Sequence, residues 1–195
     1  MINGVSRETN SLLRRYENLL KRWNERINLV SSQTLDEFSH RHVNDCLQLN
    51  SIAPSQGTWL DLGSGGGLPG LVIAIARRPQ SNVVLVESDH RKAAFLKTVR
   101  RELELDVQII VARIEALDPL GADIISARAL APLEKLLEYQ CRHGHGQTVG
   151  LYPKGRTWEA DALAAEKEWA YDLKLHPSLM EKDSMILEVQ NLARL

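Results

Sequence analysis

Near the start of the chain Leu12, Leu13, Tyr16, Leu19, Leu20, Trp23 and Ile27 recur at three- and four-residue steps, one apolar stripe with polar residues between. This spacing predicts an amphipathic helix. The opposite face carries Arg7, Arg14, Arg15, Lys21, Arg22 and Arg26 against Glu8, Glu17 and Glu25, so it is locally positive: either a solvated face or one that meets phosphates. Thr34-Leu35-Asp36-Glu37 fits a capping box and predicts a second helix running to about Ser51, closed by "APSQG". From Thr58 the period shortens. "TWLDLG", "NVVLVES", "VQIIVAR", "DIISAR" and "QTVGLY" read as strands, separated by helical or turn segments of which "HRKAAFLKTVRRELEL" and "APLEKLLEYQC" are clearest. Such alternation builds right-handed βαβ units and a parallel sheet covered on both faces. "WAYDLKLHP" and "SMILEVQNL" have only a few polar residues between them and predict a closing antiparallel pair. The expected fold is α/β: a doubly wound, mostly parallel seven-stranded sheet (residues 55–195) with an N-terminal helical extension (residues 1–54) packed on it as one structural unit.

Composition narrows the classes. The 195 residues are 44% hydrophobic and 25% charged, the proportions of an ordinary soluble globule. The longest apolar run, Leu71 to Ala76, is far too short to span a bilayer, and Arg7, Glu8, Arg14 and Arg15 stand where a signal peptide would need an apolar block. A cytoplasmic protein without membrane attachment is expected. Cys46 and Cys141 have no C-x-x-C partner and read as two buried thiols, neither a disulfide framework nor a zinc site. His143 and His145, flanked by glycines in "CRHGHGQ", read as a solvent-exposed loop and not as metal ligands, and no metal is expected. The net charge of −1 argues neither for nor against an RNA partner.

The candidate chemistry lies in "TWLDLGSGGGLPG". Read from Gly65, the letters through Gly70 satisfy the dinucleotide fingerprint G-x-G-x-x-G, whose amides would face a pyrophosphate. Asp61 argues against that ligand. A carboxylate beside a pyrophosphate sets like charges together in a poorly screened cleft, whereas a cationic ligand gains from the same carboxylate. S-adenosylmethionine carries a sulfonium and an ammonium and no phosphate. Pro69 points the same way, because it removes one of the amides that a phosphate site would use. Glu87, at the tip of the second strand, can accept from both ribose hydroxyls of either cofactor, or else cap the helix that follows. After the third strand, Ile114 and Glu115 offer an apolar face and a polar edge to an adenine. Three strand ends in order favour an S-adenosylmethionine site over a dehydrogenase.

Taken together, "RWNERINLVS", "RHVNDCL", "LDLGSGGGLPG", "LVESDHRKAAFL", "ARIEAL", "ISARALAPLEKLL" and "YPKG" resemble the bacterial small-subunit ribosomal RNA methyltransferase G family, formerly called glucose-inhibited division protein B. The resemblance implies a Rossmann-like class I methyltransferase fold and transfer of a methyl group from S-adenosylmethionine to N7 of one guanine in the decoding-region loop of 16S rRNA. It implies cofactor contacts at Asp61, Gly63, Gly65, Gly67, Leu68, Glu87, Ile114, Glu115 and Arg128, and substrate contacts at Arg128 and Lys154. The partner implied is 16S rRNA or a small-subunit assembly intermediate, met by a monomer. Guanine N7 has a free lone pair, so no general base is needed and no catalytic residue is expected. Two other readings stand beside this one: an NAD-dependent oxidoreductase, and a catalytically silent RNA-binding protein on a methyltransferase scaffold.

Overall fold

A computed structural model describes residues 5–31, 42–79 and 82–195. The apolar stripe forms α1 (Arg7–Asn24), opened by Ser6, whose side chain accepts from the Thr9 amide. Leu12, Leu13, Tyr16, Leu19 and Leu20 are buried, so the stripe is the packed face. The capping box at Thr34–Glu37 lies outside the described residues; the second helix, α2, spans Asn44–Ile52.

The remaining elements are β1 (Trp59–Leu62), α3 (Gly70–Ala76), β2 (Val83–Glu87), α4 (His90–Glu102), β3 (Val107–Val111), β4 (Ile124–Ala127), α5 (Leu133–His143), β5 (Val149–Lys154), α6 (Trp158–Ala165), β6 (Trp169–Pro177) and β7 (Met185–Arg194). A short 3-10 turn, Ile114–Ala116, follows β3. The seven strands form one sheet in the order β3-β2-β1-β4-β5-β7-β6. The first five are parallel, and β7 runs antiparallel between β5 and the edge strand β6. This is the expected doubly wound sheet with its reversed strand near one edge. The strand order switches at β1 and β4, the place where such sheets bind ligands.

Both faces are covered. One core joins Leu13, Tyr16 and Leu20 of α1, Leu49 of α2, α3 and the inner side of α4 to Trp59 and Leu85. The other packs Leu136 and Leu137 of α5 and Ala162 and Ala165 of α6 against Leu60, Leu62 and Tyr152. α1 thus shares its core with the sheet.

Two expectations are corrected. Cys46 is buried, but Cys141 is exposed because it lies on the outer face of α5. His143 does not sit in a loop: it is the last residue of α5, fully buried, with Nε2 at 3.1 Å from the Ile114 carbonyl. The glycines that suggested a loop begin one residue later.

Candidate cofactor and substrate site

The residues singled out in the sequence converge at the carboxyl ends of β1 to β5. The loop from Gly63 to Pro69 leaves β1 and turns into α3. Gly63, Gly65 and Gly67 all have positive φ (64°, 53° and 87°), which only glycine adopts without strain. A Cβ on Gly65 would meet nothing nearer than the Gly63 carbonyl at 3.7 Å, so this turn presents bare backbone to an open space. Gly70 differs. A Cβ there would stand 2.2 Å from Leu85, so Gly70 lets α3 press onto β2. Leu68 packs its side chain against the α1–α3 core, which leaves only its backbone to face a ligand.

Asp61 lies beneath this loop with no exposed surface. Its Oδ2 accepts from the Gly70 amide at 3.2 Å and its Oδ1 from Ser126 Oγ at 2.8 Å. Burial pushes its carboxyl up to about 6; Ser64, Ser126 and the Gly70 amide oppose the shift and the nearby charge of Glu87 adds to it. The charge argument expects Asp61 to face a cationic ligand. The geometry instead buries the carboxylate completely and pairs each oxygen inside the chain, so no ligand reaches it and Asp61 acts through the loop it holds and through its field.

Glu87, almost fully buried at the end of β2, holds the same loop from the other side. Its Oε2 accepts from the Gly65 amide at 2.8 Å and its Oε1 from the Asp89 amide at 2.8 Å. Capping of α4 falls to Asp89, which accepts from the Arg91 and Lys92 amides, and this frees Glu87 from the role that sequence left open. A carboxylate has about four acceptor positions, so each oxygen keeps one for a ligand hydroxyl. Bare glycine backbone beside a nearly buried carboxylate with spare acceptor capacity fits the ribose of a nucleoside.

Ile114 and Glu115 occupy the 3-10 turn after β3. The Ile114 side chain is buried in the α5 core, and Glu115 accepts from Tyr139 Oη of α5. Both side chains are therefore committed away from the glycine loop; backbone is what this turn can offer an adenine.

Arg128 follows β4 and turns toward α2, with Nη2 at 2.6 Å from His42 Nδ1. Its Nη1 is buried with no hydrogen-bond partner among the described residues. Lys154, the last residue of β5, donates to the Ala131 carbonyl and to Asp161 Oδ2, each at 2.8 Å. Its charge is neutralised within the chain, so the loose expectation of a substrate-side contact meets a lysine that already ties the loop after β4 to α6. Both residues line a cavity of about 230 Å³ at the ends of β4 and β5.

Sequence reasoning missed Tyr16. From the middle of α1, fully buried, its hydroxyl donates to the Gly66 carbonyl, and its ring packs on Phe95 of α4. The loop is thus held at three successive points: Gly65 by Glu87, Gly66 by Tyr16 and Gly70 by Asp61. The one signal beforehand was a phenol hydroxyl in a stripe that is otherwise aliphatic apart from Trp23.

This strand order, the glycine loop after β1 and the acid at the end of β2 define a class I methyltransferase fold. A solved S-adenosylmethionine-dependent methyltransferase from Aquifex aeolicus has the same fold (TM-score 0.62, 12% identity, 89% of this chain and 97% of that one). The family model for rRNA small subunit methyltransferase G matches residues 9–187, and the chain belongs to that family. It is 48% identical over 191 residues to the ribosomal RNA small subunit methyltransferase G of Paracoccus denitrificans, covering 97% of this chain and 98% of the relative. The Rhizobium etli protein of the same name is 44% identical over 202 residues, covering 100% and 98%. Among the described residues no helix is long and apolar enough to cross a membrane.

Proposed function

We propose that this chain transfers a methyl group from S-adenosylmethionine to N7 of one guanine in the decoding-region loop of 16S rRNA, free or in a small-subunit assembly intermediate, as a cytoplasmic monomer. The observation that carries the reading is the glycine loop held at Gly65 by Glu87, in a chain whose family match runs from residue 9 to 187. S-adenosylmethionine supplies an electrophilic methyl carbon on a sulfonium.

The chain's own part is binding and alignment. Glu87 accepts from the ribose hydroxyls, the backbone of Ile114 and Glu115 borders the adenine, and Gly63 to Leu68 pass close along the amino-acid moiety. The buried charge of Asp61 lowers the cost of bringing a cation against this loop. Arg128 faces the substrate end. N7 attacks with its own lone pair, the N7–carbon bond forms as the carbon–sulfur bond breaks, and the positive charge passes to the purine. No proton is removed from N7, so no residue is assigned as a base. Holding N7, carbon and sulfur in line supplies up to roughly 7 to 11 kcal/mol of the barrier as effective molarity. A lysine over the purine would oppose the growing charge, and the internal pairing of Lys154 with Asp161 avoids that.

The test is incubation of the purified chain with 16S rRNA and labelled S-adenosylmethionine, with the methylated nucleotide mapped by mass spectrometry, beside calorimetric titration with S-adenosylmethionine and NAD. One 7-methylguanine and selective S-adenosylmethionine binding are expected. NAD binding would return the oxidoreductase reading, and S-adenosylmethionine binding without transfer to any RNA form would return the silent scaffold.

A further inference from the structure

The cavity at the ends of β4 and β5 is walled by side chains of both signs. Arg128 and Lys154 come from the strand ends, Asp45 comes from the first turn of α2, and Glu181 comes from the turn between β6 and β7. Leu49, Leu136 and Ile186 supply apolar wall. At about 230 Å³ it lies below the roughly 300–1,000 Å³ typical of pockets for larger ligands, a size suited to one flat base.

The two edges of guanine differ in kind. O6 and N7 only accept, whereas N1–H and the exocyclic N2 amine only donate; adenine presents a donor at position 6 and no amine at position 2. A carboxylate is an acceptor-only group with two oxygens, the natural partner for N1–H and N2–H together. Arg128 sets a donor-only side chain in the same wall, the complement of the acceptor-only O6. Asp45 is fixed on its own helix and against the opposing turn, with Oδ1 accepting from Ser178 Oγ at 3.1 Å. Gln48, one turn further along α2, grips the same turn through the Pro177 carbonyl at 2.7 Å and the Leu179 amide at 3.0 Å. The acidic wall is therefore rigid where the base would press on it.

Resting on the guanine reading above, we infer that this cavity receives the flipped target guanine and that Asp45 is its specificity-determining residue, accepting from N1–H and the N2 amine while N7 faces the methyl donor. The Asp45 carboxylate selects guanine over adenine before any chemistry begins.

The experiment compares 16S rRNA carrying guanosine or inosine at the mapped target position. Inosine keeps N7, O6 and N1–H and lacks only the N2 amine. Wild-type protein should methylate inosine with kcat/KM about 10-fold or more below guanosine, as expected for loss of one hydrogen bond to a charged group. Asp45→Asn should lower the guanosine rate by a similar factor, bring the guanosine-to-inosine ratio close to one and leave S-adenosylmethionine affinity unchanged. Ser178→Ala separates the alternative: a merely structural Asp45, acting through the turn, would be reproduced by Ser178→Ala and would leave the ratio at its wild-type value in both variants. Equal wild-type rates on the two RNAs, or an Asp45→Asn protein that still prefers guanosine, would overturn the assignment. Absence of transfer to N7 of the guanosine RNA would overturn the guanine reading and the assignment with it.

Discussion

Ser126 Oγ donates to Asp61 Oδ1 at 2.8 Å directly across the parallel β1–β4 pair, where the two residues are register partners, and it accepts in turn from Trp59 Nε1 at 2.8 Å. All three side chains are fully buried. The chain Trp59, Ser126, Asp61, Gly70 therefore runs through the core and ends at the start of α3. A buried network of this kind is costly to break at any one member.

Asp61 gives the fold a pH dependence of unusual sign. Its carboxyl is raised from 3.8 to about 6, so between those values the folded chain keeps a proton that the unfolded chain has released. The contribution of this group is full below pH 3.8 and is lost as pH rises through about 6, at 1.36 kcal/mol per pH unit about 3 kcal/mol in all. Asp61→Asn should remove that slope from denaturant unfolding measured between pH 4 and 7. In the wild type, S-adenosylmethionine affinity should rise over the same interval as the buried charge forms. In Asp61→Asn it should be weaker and flat, by calorimetry.

Tyr16→Phe tests the coupling of α1 to the loop. The variant keeps the ring that packs on Phe95 and leaves the buried Gly66 carbonyl without its donor. An unsatisfied buried acceptor costs about 1–3 kcal/mol, which in a domain of this size lowers Tm by roughly 5 °C. The protein should still fold, and its S-adenosylmethionine affinity should fall about 3- to 30-fold, read by calorimetry. Unchanged affinity with a lowered Tm would confine Tyr16 to packing.

The sheet was legible in the sequence because β-branched runs such as "VVLVE" and "VQIIV" are bounded by turn residues and spaced by helical patterns, and β6 and β7 betrayed themselves by lacking a helix between them. The loop and Glu87 were legible because a glycine's freedom and a strand-end carboxylate are local properties. What sequence withheld is long-range or a matter of helix phase. Nothing local ties Tyr16 to Gly66, or Lys154 to the Ala131 carbonyl. Cys141 and His143 stand two residues apart on α5, a separation that sets one outward and the other into the core. The Asp61 side chain was correctly placed near the loop by its spacing, but its partners Ser126 and Gly70 come from other elements.

Lys154 is predicted to act by holding the loop after β4. Its Nζ bridges the Ala131 carbonyl and Asp161, so Asp161→Ala should reproduce most of the loss of methylation caused by Lys154→Ala, with S-adenosylmethionine affinity nearly unchanged in both. The methylation loss is expected at about 10-fold, the scale of a hydrogen bond to a charged group. If Lys154 instead contacts RNA phosphate, only Lys154→Ala should weaken binding to 16S rRNA and lower its salt dependence.

His143 supplies the opposite slope to Asp61. Burial, with Arg142 beside it adding repulsion, lowers its imidazole below the ordinary 6.5 even though the Ile114 carbonyl favours the charged ring. Nε2 pairs with that carbonyl, whereas Nδ1 is buried with no hydrogen-bond partner among the described residues, so a second ring proton would have nowhere to go. The unfolded chain binds a proton below 6.5 that the folded chain resists, so the stability tied to neutral His143 is complete above 6.5 and is lost as pH falls. His143→Gln keeps a donor for Ile114 and cannot titrate. Its unfolding free energy should fall less than that of the wild type between pH 7 and 5, while Asp61→Asn should fall more, because the wild-type Asp61 gains a stabilising proton over that interval. Urea titrations of the two single variants and the double variant at both pH values resolve the two slopes. A His143→Gln protein with the wild-type acid slope would show that folding leaves the titration of this ring unshifted.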